Sequence, residues 1–151
     1  MIVQRDSIRK YAMQHPYQKI VAICGCFDIL HYGHLEYITG AKALGDVLFA
    51  GVNADISVYE NKKRLPVFSQ TQRLKMLDSC KFIDYSFLFY EKTFDKSLEI
   101  LNPDIFARGI DASMKDFPEQ NTASELCIDV CYIGEKKISS SSALRRYFKN
   151  R

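Results

Sequence analysis

The sequence predicts an open α/β fold in which a parallel sheet carries helices on both faces. Two observations predict it. Short apolar runs alternate along the chain with segments of about ten residues whose apolar positions recur every three or four residues. Several runs, such as 20–27 and 47–52, stay apolar without alternating, as a strand buried on both faces must. A helix between two such strands returns the chain in the same direction, so the pairing is expected to be parallel.

The elements follow in order. Residues 7–14 read as a short leading helix, closed at His15-Pro16 because proline pushes the residue before it out of helical geometry. Residues 20–27 are the first strand. From His34 the spacing of Leu35, Ile38, Ala41 and Leu44 is a helical stripe that stops at Gly45. Residues 47–52 are the second strand, and the polar stretch holding Asn61, Lys62, Lys63, Arg64 and Pro66 reads as a loop. A helix at 71–80, an aromatic-rich strand at 82–90, a helix at 94–101 and a short strand at 104–107 come next. Residues 114–122 read as a polar loop or short helix, 127–133 as the last strand and 140–148 as the last helix.

With 151 residues, 47% of them hydrophobic, the chain is expected to build one domain over 1–151 around a packed core. The formal net charge is +3 and no basic tail is present, so neither nucleic acid nor an anionic membrane is an expected partner, and anion binding must be local. Residues 1–10 are polar and mixed in charge, and no stretch approaches the roughly 20 apolar residues a bilayer requires, which predicts a cytoplasmic protein. The five cysteines, Cys24, Cys26, Cys80, Cys127 and Cys131, fall mostly in apolar runs. That suits reduced, buried thiols; C-x-C and C-x3-C within strand-like runs are poor zinc geometry, so no metal site is expected.

Chemistry concentrates at the end of the first strand, in Gly25-Cys26-Phe27-Asp28-Ile29-Leu30-His31-Tyr32-Gly33-His34. Two histidines three apart at a strand-to-helix turn project to one side, and the start of a helix adds backbone N–H groups and a positive dipole end. A phosphate placed there would meet both imidazoles, with Gly33 leaving room for close approach. Either ring alone would read as a cap or a core side chain. The pair, with Gly25, Phe27, Asp28 and Gly33 in the same turn, reads as a ligand site.

This run meets in full the G-x-F-D-x-x-H-x-G-H signature and so resembles the cytidylyltransferase-like nucleotidyltransferases, whose fold is a Rossmann-like α/β sheet. No G-x-G-x-x-G follows the strand, and 40–46 fails as a P-loop because Asp46 stands where lysine is needed. The resemblance implies that His31 and His34 contact a nucleoside triphosphate and stabilise charge on the transferred phosphoryl group. It places Gly25, Cys26, Phe27, Asp28 and Gly33 against the nucleotide. It also implies a mobile basic loop within 61–77, a segment with Lys62, Lys63, Arg64, Arg73 and Lys75 and no acidic residue. In that loop Lys63 and Arg73 are expected on the phosphates, and Lys62, with Asp55, near the acceptor.

Two further segments match. Arg108, Gly109 and Asp111 stand where the family meets the base. Ile138, Ser139, Ser140 and Ser141, behind Lys136 and Lys137, resemble its closing I-S-[ST]-[ST] motif and are expected to hold the β- and γ-phosphates. The likeness runs from residue 20 to about 147 and is greatest to the nucleotidyltransferase domains of bacterial ADP-heptose synthases, which share G-C-F-D-I-L-H-x-G-H and the L-G-D of 44–46. The arginine of the R-T-x-G-I-S-T-T form found in CTP-using relatives is absent from 134–141. The expected reaction is therefore transfer of a nucleoside monophosphate, with Mg²⁺ on the triphosphate and release of pyrophosphate, from ATP to a heptose-like sugar 1-phosphate. CTP with glycerol 3-phosphate or a phospho-amino alcohol is the alternative, and a non-catalytic nucleotide sensor is the alternative of another class. The resemblance also implies a homodimer.

Overall fold

Successive residues of the first strand, β1 (Ile20–Gly25), go to opposite sides of one sheet. Ile20 and Ala22 enter one apolar cluster, Val21 and Ile23 another, so the strand is buried on both faces as its unbroken apolar run predicts. The computed structural model describes residues 1–110 and 117–134. Within them β2 (Val47–Asn53), β3 (Tyr85–Phe89), β4 (Ile105–Gly109) and β5 (Asp129–Ile133) join β1 in a parallel sheet of order β3-β2-β1-β4-β5.

One face packs against α1 (Ile8–Ala12), α5 (Asp95–Leu101) and α6 (Gln120–Glu125), through Ile8, Leu98, Leu101 and Ala123 and the rings of Phe49, Phe87, Phe94 and Phe106. The other packs against α2 (Tyr32–Lys42) and α4 (Gln70–Asp78) through Ile38, Ala41, Leu74 and Leu77. α4 starts on a capping box: Ser69 Oγ accepts from the Gln72 N–H, and the Gln72 side chain returns to the Ser69 N–H.

The strand starts are tied by carboxylates. Asp104 accepts from the Ile20 N–H at 2.7 Å, Asp46 from the Lys19 N–H at 2.8 Å and Asp84 from the Leu48 N–H at 2.7 Å. Gly45 lets the chain turn into β2 at close quarters, because a Cβ there would lie 2.6 Å from Val21 and 2.7 Å from the Lys19 carbonyl.

The pairing also makes the cleft. β1 stays in register with β2 as far as Gly25 opposite Val52, but its pairing with β4 ends at Ala22 opposite Phe106. Beyond that point the carboxyl ends of β1 and β4 separate, at the place where strand order reverses, which is where open α/β sheets bind ligands.

The structure departs from the expected elements in four places. The leading helix is shorter, a 3₁₀ turn (Arg5–Ser7) running into α1. The segment after β2 is not all loop: α3 (Asp55–Lys62) forms there, taking in Asn61 and Lys62 of the expected loop. The expected element at 114–122 falls later, as α6, and of that range 114–116 lies outside the described residues. The last strand begins at Asp129 rather than Cys127, because Cys127 takes a left-handed turn (φ 54°) and is exposed instead of buried, while the other four thiols are half-buried. The expected helix at 140–148 lies outside the described residues, and among those described no helix is long and apolar enough to cross a membrane.

Candidate active site

The turn from β1 to α2 is held in an unfavourable backbone shape. Phe27 (φ 49°) and Ile29 (φ 52°) both lie in the left-handed region, which costs a side-chain-bearing residue of order 1 kcal/mol or more, above all a β-branched one. Burial of the Phe27 ring in the α2-side cluster offsets that cost. The ring lies beneath Gly25, where a Cβ would meet Phe27 Cε2 at 3.2 Å. His34 packs on Phe27 at 5.6 Å between ring centroids, and Tyr37 lies nearly parallel to Phe27, at 6.4 Å and 16°.

The two histidine rings converge. Their centroids are 4.0 Å apart and their planes 27° from parallel. His31 occupies the N-cap position of α2 with extended backbone, yet its side chain makes no capping bond; the His31 carbonyl instead accepts from the His34 and Leu35 N–H groups. The capping explanation of that ring is therefore excluded. His34 Nδ1 is buried and finds no hydrogen-bond partner among the described residues, a position that a ligand would satisfy.

Burial lowers the His34 pKa to about 4, and the His31 and Lys62 charges push it the same way while Asp28 opposes them. The ring is thus neutral near pH 7 and keeps one N–H to donate. Between about pH 6.5 and about pH 4 the unfolded chain binds this proton and the folded chain does not. Stability carried by the neutral ring is complete above that window and is expected to fall as the pH drops through it. An NMR titration of the His34 imidazole is expected to show its midpoint at about 4, rising when an anion binds; an ordinary midpoint in the free protein would refute the burial argument.

Arg73, expected on the phosphates, is fully buried, and its guanidinium bonds to four groups of the protein. Nε donates to the Phe68 carbonyl at 3.0 Å, Nη1 to the Cys26 carbonyl, and Nη2 both to the Asn53 carbonyl and to Asp55 Oδ1, each at 2.7 Å. It thereby joins the ends of β1 and β2 to the segment before α4. Asp55, expected at the acceptor, is the ion-pair partner of Arg73, and its Oδ2 accepts from the Gln70 N–H at 3.1 Å. Asp28, expected against the nucleotide, is 4% exposed and accepts from the Val67 N–H at 3.0 and 3.1 Å and from the Phe68 N–H at 3.2 Å.

Of the basic-loop lysines, Lys62 is the one whose charge acts on both His34 and Cys26. Lys63 ends α3 in a left-handed conformation (φ 53°) with its side chain exposed. The Cys26 thiol is pushed up by burial, against the pull of Arg73 and Lys62, so it is not a reactive thiolate.

Across the cleft, at the end of β4, the Arg108 guanidinium lies 4.0 Å over the Phe117 ring, and its Nη1 is buried without a partner among the described residues. Gly109 beside it has open space where a Cβ would stand. Asp111 and Ile138, Ser139, Ser140 and Ser141 lie outside the described residues. So β1 and α2 supply the histidine pair, β4 supplies Arg108, and α3 brings Lys62 into the field of the pair.

The profile of the cytidylyltransferase-like family matches residues 22–146. The chain belongs to that family. Similar relatives are the bifunctional protein HldE of Helicobacter pylori (strain Shi470), 42% identical over 114 residues, and that of Wolinella succinogenes, 39% identical over 128 residues. These matches take in 75% and 83% of this chain but 25% and 27% of those proteins, so the chain spans about a quarter of the length of the curated relatives it matches. Among solved structures, the lipopolysaccharide core biosynthesis protein from Thermoplasma volcanium GSS1 is similar with a TM-score of 0.68 at 30% identity, covering 80% of this chain and 99% of that one.

Within this cytidylyltransferase-like site some contributors carry no motif. The Tyr37 hydroxyl donates to the Ala107 carbonyl at 2.7 Å and so ties the histidine helix to the β4 end. Phe117 supports Arg108, and the buried Glu119 accepts from the Phe94 N–H at 2.8 Å. Tyr37 stands three residues after His34, on the same face of α2, and that spacing was its one available signal.

Proposed function

We propose that this nucleotidyltransferase moves a nucleoside monophosphate from a triphosphate to a small phosphorylated acceptor, with ATP and a heptose-like sugar 1-phosphate as its pair of substrates. The observation that carries the reading is the stacked histidine pair, with a buried, unpartnered His34 nitrogen, at the separated ends of β1 and β4. An acceptor phosphate oxygen attacks the α-phosphorus and forms the new P–O bond; the bond from that phosphorus to the bridging oxygen breaks, and pyrophosphate leaves. Negative charge grows on the α-phosphate oxygens, and donors fixed in place beforehand stabilise it with little reorganisation. His34, neutral when free, donates an N–H. Lys62 adds positive field and His31 lies beside His34, while Arg108 supplies an N–H toward the base side of the cleft.

Mg²⁺ bound with the triphosphate would neutralise phosphate charge there. Among the described residues no group of three or more His, Cys, Asp or Glu side chains is arranged to hold a metal, and Asp28 is already engaged. The sugar assignment is supported by the similarity to the lipopolysaccharide core biosynthesis protein and to the HldE proteins.

The test is pyrophosphate release with each of the four triphosphates against a panel of sugar 1-phosphates, glycerol 3-phosphate and phosphoethanolamine. Release with ATP and a sugar 1-phosphate is the expected result. Release with CTP alone overturns the nucleotide assignment, and tight nucleotide binding without release under any combination would make the protein a sensor.

A further inference from the structure

We propose that Asp28 is a positioning residue: its carboxylate latches the segment at 66–69 onto the histidine turn and so fixes where the cations at 62–64 stand relative to the transferred phosphoryl group. The proposal rests on the transferase reading above. Its physical content, a carboxylate holding a loop, is measurable without that reading.

The segment is held by polar bonds rather than by burial: the Asp28 carboxylate shares it with the Arg73 bond to the Phe68 carbonyl and the capping box at Ser69. Leu65 and Val67 are 60% and 56% exposed, so neither anchors the loop by burial. Two consecutive backbone N–H groups, of Val67 and Phe68, turn inward to the Asp28 carboxylate, while the Phe68 carbonyl accepts from Arg73 on the other side. A buried carboxylate is expensive to desolvate and repels phosphate, so its place in an anion site calls for a compensating role. Charge-assisted bonds to two N–H groups supply one.

The other end of the cationic span is fixed as well. The Lys63 N–H returns to the Tyr59 carbonyl at 2.8 Å at the end of α3, and Asn61 Nδ2 donates to the Lys92 carbonyl at 3.0 Å. Only residues 64–66 lie between these ties and the Asp28 latch, and Pro66 stiffens them further. The Lys62 charge already acts on His34, so the span is held where it counts electrostatically. Holding cations in place before the substrate arrives is what makes them effective in a transition state.

The experiment compares the full-length chain with Asp28→Ala by amide hydrogen exchange and by steady-state kinetics, each also in a Lys62→Ala background. Exchange of the Val67 and Phe68 amides is expected to quicken at least about tenfold in Asp28→Ala while β1 and β2 keep their protection. The kcat is expected to fall about 100-fold. In the Lys62→Ala background the same change is expected to cost less than roughly threefold, because the cation being positioned is already gone. Unchanged exchange at Val67 and Phe68 overturns the latch whatever the activity, and effects of Asp28→Ala and Lys62→Ala that multiply fully overturn the positioning role. Faster exchange in a chain that shows no turnover with any substrate keeps the latch and removes the transferase reading. Should Asp28→Ala not fold, Asp28→Leu takes its place under the same exchange criterion, since it fills the volume but offers the loop amides no acceptor.

Discussion

Replacing His34 with alanine is expected to lower kcat about 10²- to 10³-fold, the range found when one preorganised donor to a developing oxyanion is removed. The geometry gives the reason. His34 is half-buried, stacked on His31 at 4.0 Å and backed by Phe27, so its N–H is aimed before substrate arrives. Its fold cost is expected to be small, because the ring makes no hydrogen bond through Nδ1 and Phe27 remains packed in the core without it. Turnover should therefore collapse while the thermal midpoint stays within a few degrees of the parent. His31→Ala is expected to lose activity as well, and because the two rings act on one phosphate their losses should not multiply. The kinetics of the two single variants and the double, with melting curves of each, provide the check. A His34→Ala protein turning over within threefold of the parent would remove the histidine pair from the chemistry.

How much of this could be read from the residues varies from element to element. Residues 20–34 declared both a doubly buried strand and a turn on which two histidines converge, because each signal there is local: an unbroken apolar run, then two histidines three apart. α3 stayed hidden. Of its eight residues only Ser57 and Val58 are buried while Ile56 and Tyr59 are exposed, so no apolar stripe announces it. It is held mainly by polar bonds such as Ser57 Oγ to the Glu91 carbonyl at 2.7 Å, which no periodicity encodes.

The basic segment was legible as charge but not as roles. Arg73, Leu74 and Leu77 are the buried residues of α4, which puts Arg73 on the apolar face. An arginine at that point of a helical stripe is a candidate brace, a signal present in the residues beside the one the family resemblance supplies. Asp28 is the same case in reverse: part of a nucleotide signature by sequence, it is turned toward backbone N–H groups some forty residues downstream, a pairing only tertiary structure reveals.

Arg73→Ala is expected to destabilise the fold by about 3–5 kcal/mol, the cost of leaving a buried charge pair without one member. Its loss also strands the Cys26, Asn53 and Phe68 carbonyls where little water reaches, and frees the segment before α4 from the ends of β1 and β2. In a chain of this length a drop of that size lowers the melting midpoint by on the order of 10 °C. Arg73→Lys is expected to recover little, because one ammonium cannot reach three carbonyls and the Asp55 carboxylate lying in different directions, as the planar fork does. Asp55→Asn should cost less than Arg73→Ala, since the Asp55 side chain is 33% exposed and water can take over part of its role. Urea unfolding of the three variants decides the ranking. A fully stable but inactive Arg73→Ala protein would show instead that the guanidinium leaves its four partners and grips the triphosphate during turnover, restoring the role the sequence first suggested.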